Sequence, residues 1–80
     1  MSTNRDRFKV FLVTDYTDLL HTPAYAAAAA KHTPESLADA MIAGLANGSA
    51  DKEGAAVKRA CKALGIKHTY KALREYLTEA

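Results

Sequence analysis

Apolar residues follow two different rhythms along this chain. From residue 34 onward they recur every three or four positions. Leu37, Met41 and Leu45 share one face with Ala38 and Ile42 beside them; Val57, Ala60, Cys61 and Leu64 form a second stripe, and Tyr70, Leu73 and Leu77, flanked by Tyr76, a third. That period marks amphipathic helices. The punctuation agrees with it. Thr33-Pro34 opens a helix that runs through Ala46 to Asn47-Gly48, Ser49 or Asp51 caps the next, Gly65 stops it, and Thr69 caps the last. Another helix is predicted over Ala24–Lys31, with Thr22 as its cap and Pro23 in its first position. Residues 8–13 differ: Phe8, Val10 and Leu12 alternate with Lys9, Phe11 and Val13, and the β-branched and aromatic content favours a strand. No other segment reads as its partner. Either this segment is a helix overriding its propensity, or it pairs with a second copy of itself, because an unpaired apolar edge is a liability. The expected fold is mainly α: a compact bundle of four or five short helices forming one domain over residues 1–80. Residues 1–7 are expected to be a flexible lead-in, and a homodimer through residues 8–13 is the consequence of the strand option.

Length limits what such a bundle can hold. With 80 residues, the domain buries about 60–65% of the surface of its unfolded chain, enough for one modest core. A cofactor pocket and a substrate pocket do not fit side by side. The single cysteine, Cys61, cannot form an internal disulfide and sits on a stripe that wants a small apolar residue, so it reads as a reduced core thiol. No apolar run is long enough to span a bilayer, and Phe8–Val13, interrupted by Lys9, is too short for a signal-peptide core. The chain is expected in the cytoplasm.

Catalytic patterns are hard to assemble. His21, His32 and His68 lie in separate segments without the i, i+4 spacing of a helical metal pair, and one cysteine supplies no zinc site. His32 and His68 also have a structural explanation. Lys31-His-Thr-Pro-Glu-Ser-Leu-Ala-Asp-Ala-Met41 echoes Lys67-His-Thr-Tyr-Lys-Ala-Leu-Arg-Glu-Tyr-Leu77, and in both the histidine precedes a capping threonine. A Cys61–His68 dyad would need an accessible thiol, whereas Cys61 is predicted to be buried. Gly44, Gly48, Gly54 and Gly65 fit no phosphate-cradling pattern, and Asp15 and Asp18 read as surface charges or caps. The chain is expected to bind rather than catalyse, without metal or cofactor.

Charge supplies the candidate binding surfaces. The formal net charge is only +2, yet the signs are separated along the chain. Residues 10–50 hold Asp15, Asp18, Glu35 and Asp39 against Lys31 alone, whereas residues 57–77 hold six cations and one acid, Glu75. One basic and one acidic face are expected, and each suits a different partner. The basic candidates are Lys58, Arg59, Lys62, Lys67, Tyr70, Lys71 and Arg74; the acidic alternative is Asp15, Asp18, Glu35 and Asp39. Residues 57–77 also outline a helix-turn-helix: Ala60 or Cys61 packs inward, Gly65 permits the turn, and Ile66 follows it into the core. In that arrangement Lys67, His68, Lys71, Arg74 and Tyr70 would face a groove while Lys58, Arg59 and Lys62 reach flanking phosphates. Tyr70 and Leu73 fall one residue early for the usual motif.

The segment Ala63-Leu-Gly-Ile-Lys-His-Thr-Tyr-Lys-Ala-Leu-Arg-Glu-Tyr-Leu77 resembles helix-turn-helix regulators of phages and mobile elements. In its length, alanine content and segregated charge, the whole chain resembles the small prophage proteins encoded beside such regulators, several of which are anti-CRISPR proteins. That resemblance implies a stoichiometric inhibitor of a type I CRISPR effector complex in the host bacterial cytoplasm, blocking target-DNA binding or nuclease recruitment. It carries no individual functional residue, because those families share no motif. The alternative is a DNA-binding regulator whose partner is duplex DNA. A basic DNA channel as target would favour the acidic face.

Overall fold

The computed structural model describes residues 3–79 and consists of five α-helices: α1 (Asn4–Leu20), α2 (Ala26–Lys31), α3 (Pro34–Asn47), α4 (Ala55–Leu64) and α5 (Tyr70–Thr78), with one 3₁₀ turn at Pro23–Tyr25. There is no β-strand among the described residues. The mainly α bundle expected from the sequence is the fold. α1 is its hub and packs on α3, α4 and α5, while α3 also lies against α5.

Residues 8–13 belong to α1, which corrects the strand option. Alternation would have pointed Phe8, Val10 and Leu12 the same way, but Phe8 and Leu12 are fully buried and Val10 is 64% exposed. Their i, i+4 spacing is helical, and burying two large side chains yields about 1.5–3 kcal/mol each. The helix penalty of a β-branched residue is only a few tenths of a kcal/mol. Thr14 and Thr17 also fold their hydroxyls back onto the carbonyls of Val10 and Val13, at 2.9 and 2.8 Å. With no strand edge to cover, the reason for self-pairing through this segment does not arise.

The start of α1 is fixed at both ends of the molecule. Thr3 and Asp6 form a reciprocal capping box. Asn4 is buried, donates to the Tyr76 carbonyl at 3.0 Å and accepts from Arg7 at 3.0 Å, joining α1 to the far end of α5. Residues 3–7 are thus part of the fold rather than a flexible lead-in; residues 1 and 2 lie outside the described chain.

Three further expectations shift. Thr22 does not cap a helix forward: its hydroxyl donates back to the Leu19 carbonyl at 2.8 Å, closing α1. The predicted helix 24–31 therefore begins as the 3₁₀ turn and becomes α-helical only at Ala26. Neither Ser49 nor Asp51 caps α4. Asp51 accepts from the Glu53 amide at 2.9 Å in a turn, and Gly54 stands at the N-cap with no side chain to offer. On α3 the buried line is Ala38, Ile42 and Leu45, with Leu37 and Met41 on its half-buried flanks.

The remaining signals hold. Thr33 caps α3 in a box with Ser36, and Gly48 ends it with φ +79°. Gly65 ends α4 with φ +68°, the left-handed region that glycine enters without steric cost. Thr69 caps α5 by accepting from the Ala72 amide. Val57, Ala60 and Cys61 from α4 and Leu73 and Leu77 from α5 belong to one buried core with Phe8 and Leu12. Among the described residues, no helix is long and apolar enough to cross a membrane.

Candidate docking surface

The basic residues do not form one free face. Arg59 is ion-paired with Asp15 of α1, so the two blocks of opposite charge meet across the fold. Lys58 lies 3.4 Å from Glu53, and Lys9 pairs with Asp39 at 2.9 Å. Tyr70 turns its hydroxyl to the Ala50 carbonyl at 2.7 Å, with the Lys52 ammonium 5.6 Å from its ring centre. The Arg74 Nε donates to the Ala46 carbonyl at 3.1 Å. Among the described residues, the basic candidates Lys62, Lys67, Lys71 and Arg74 are exposed and have no ion pair, and the three lysines also make no side-chain hydrogen bond. They flank the Gly65 turn.

The helix pair around that turn is open. No Cα of α4 lies within 8 Å of a Cα of α5. α4 rests on α1 instead, and α5 on α1 and α3. A DNA-reading helix-turn-helix needs its second helix braced by the first and its polar residues pointing away. Here His68, Tyr70 and Arg74 point back: the His68 ring nitrogen meets the Lys52 carbonyl, and the other two satisfy Ala50 and Ala46.

A second feature was not singled out from the sequence. The last turns of α1, the Pro23–Tyr25 turn, Met41 of α3 and the first turn of α4 enclose an open cleft of about 700 Å³. Its walls are mostly apolar, supplied by Tyr16, Leu19, Tyr25, Met41 and Val57, and Asp15, Asp18 and Arg59 stand among them. Tyr25 is one of the large side chains left exposed, at 43%. Thus two of the four acidic candidates, Asp15 and Asp18, come together here with one basic candidate, Arg59. Glu35 and Asp39 lie exposed on α3, and neither lines this cleft.

The electrostatics at this cleft are unbalanced. Arg59 holds one oxygen of Asp15; the other, Oδ2, is buried and has no hydrogen-bond partner. Burial, and then the Asp15 charge, push the Tyr16 phenol above the ordinary tyrosine range. The last turn of α1 contains Asp18 and no basic residue. Acids at a helix C-terminus oppose the helix dipole, costing about 0.3–1 kcal/mol.

Sequence reasoning could have flagged the acid–aromatic run Asp15-Tyr-Thr-Asp18, but not its juxtaposition with α4, which begins more than thirty residues later. Cys61 is buried, and burial pushes its thiol up, away from the reactive thiolate. No group of three or more His, Cys, Asp or Glu side chains is placed to hold a metal among the described residues. No family model, no curated protein and no solved structure matches this chain.

Proposed function

We propose that the chain is a non-enzymatic, phage-type inhibitor that binds a CRISPR effector complex stoichiometrically and blocks target-DNA binding or nuclease recruitment in the host cytoplasm. The observation that supports this reading is the acid-edged apolar cleft between α1 and α4. An effector's DNA channel is basic, and a compact domain presenting carboxylates beside apolar surface complements it. The scale is adequate: a specific interface covers about 800 Å² per partner, roughly a sixth of the 5118 Å² this chain exposes.

A second reading, a regulator that binds duplex DNA, is favoured by the three exposed lysines around Gly65, Lys62, Lys67 and Lys71. It is weakened by the inward hydrogen bonds of Tyr70 and Arg74, which occupy side chains that a groove-reading helix would present.

One experiment separates the two. The protein is mixed with purified type I effector complexes, co-elution is followed by size exclusion, and target-DNA binding by the complex is measured. Asp15→Lys with Asp18→Lys should abolish co-elution and inhibition, while Lys62→Glu with Lys71→Glu should leave both intact. Arg74 is left unchanged in the lysine variant because it also tethers α3. The inhibitor reading falls if no effector is retained. Salt-resistant binding of labelled duplex DNA, lost in the lysine variant, would establish the regulator instead.

A further inference from the structure

Four features point to the class of residue that the cleft receives. Its body is apolar and aromatic, from Tyr16, Leu19, Tyr25 and Met41. One wall carries two carboxylates, Asp15 and Asp18, and the Asp15 Oδ2 is buried without a partner. The cation that does reach Asp15 comes from Arg59, whose side chain is 63% exposed and so lies over the carboxylate from the solvent side. Finally, a volume of about 700 Å³ exceeds what one side chain fills and falls in the usual range of ligand clefts, about 300–1,000 Å³.

From these, and resting on the protein-docking reading above, we infer that the cleft is a socket for an arginine presented by a protein partner beside an apolar residue, with Arg59 as the resident cation it displaces. Arginine fits better than lysine. Its planar guanidinium can span two carboxylate oxygens and stack on a tyrosine ring, and it is more weakly hydrated than an ammonium. The apolar neighbour accounts for the rest of the volume. Charge settles the sign of the occupant: two carboxylates against one guanidinium leave the wall negative, although the first turn of α4 contributes a partial positive end. Arg59 is therefore a competitor of the incoming group, and this gives the inference a signature of its own. Removing a positive residue from a cation socket strengthens binding; removing it from an anion site weakens binding.

The test is an NMR titration of the whole ¹⁵N-labelled protein with two blocked peptides, one alternating leucine with arginine and one alternating leucine with glutamate. The arginine peptide should produce saturable shifts at the amides of residues 15–19, 25 and 55–57, and the glutamate peptide none. Asp15→Asn with Asp18→Asn should weaken the arginine peptide about five- to tenfold. Arg59→Ala should tighten it severalfold. Dispersed spectra for each variant verify folding, and Asp18→Asn alone, at an exposed position, supplies the same direction of change without touching the Asp15–Arg59 pair. Equal response to both peptides, shifts centred elsewhere, weaker binding by Arg59→Ala, or no shift up to roughly 1 mM peptide would each overturn the socket. No effector complex enters this titration, so its failure leaves the co-elution result standing, and failure of co-elution leaves the socket standing.

Discussion

Gly44 sits inside α3, where replacing glycine by alanine in a helix ordinarily adds about 0.8–1 kcal/mol of stability. The opposite is expected here. A Cβ built on Gly44 would stand 2.6 Å from the Cβ of Ala50, with the Ala50 amide nitrogen at 3.3 Å. Neither is the tip of a flexible side chain; both are fixed to backbone. That backbone is itself held, because the Ala50 and Ser49 amides donate to the Gly44 carbonyl at 3.1 and 2.8 Å and the Ala50 carbonyl accepts from Tyr70. Relieving the overlap means moving the loop and stretching those bonds, an overpacking cost of about 1–3 kcal/mol. Set against the propensity gain, the balance is a net loss of up to about 2 kcal/mol, or as much as roughly 15 °C in Tm for a domain of this size. Thermal and urea unfolding of Gly44→Ala, Ala50→Gly and the double variant close a double-mutant cycle. The single Gly44→Ala should be the least stable of the three, and Ala50→Gly on that background should recover most of the loss, with a coupling of about 1 kcal/mol or more. A Gly44→Ala protein more stable than wild type would refute the reasoning, because helix propensity would then have outweighed a contact that the fold does not enforce.

The same loop predicts that Tyr70→Phe lowers stability by about 0.5–1.5 kcal/mol in urea unfolding, the usual value of a lost hydrogen bond. Tyr16 should ionise above the ordinary tyrosine range in an ultraviolet absorbance titration. Its raised value means that its contribution to stability is complete below the unfolded tyrosine pKa and is lost as pH rises through the folded one. Asp15→Asn should lower that titration toward the ordinary range by removing the second cause of the shift. Cys61 should react with a chromogenic disulfide only through opening of the fold. A small domain with a stability near the low end of about 4–12 kcal/mol would still slow it about a thousandfold relative to the unfolded chain. Fast labelling in native buffer would place the thiol at the surface.

How far the fold was legible depends on the range of the signal. Thr33-Pro34, Gly48, Gly65 and Thr69 act within one helical turn, and each stands where its local chemistry predicts. The Val57, Ala60, Cys61 stripe is local too. Residues 8–13 leave helix and strand both open, because alternation and helical spacing coincide at Phe8 and Leu12 over so short a window. Only the burial supplied by α3, α4 and α5 decides between them. The cleft is less legible still: Asp15 and Arg59 are 44 residues apart, and nothing near either names the other.

The basic block illustrates a more general limit. Read along the chain, residues 67–74 look like donors displayed to an anionic partner. The fold uses several of them differently. The end of α3 and the loop after it leave the carbonyls of Ala46, Ala50 and Lys52 without partners in a regular helix or sheet, and backbone carbonyls withdrawn from water need donors. Arg74, Tyr70 and His68 serve all three. A donor committed to a backbone carbonyl is available to a phosphate only if that bond is broken. The same bonds hold the loop that delivers Gly54 and Ala55 to the start of α4, one wall of the cleft. Part of the helix that resembles a DNA reader thus helps to hold the loop that leads into one wall of the acid-edged cleft.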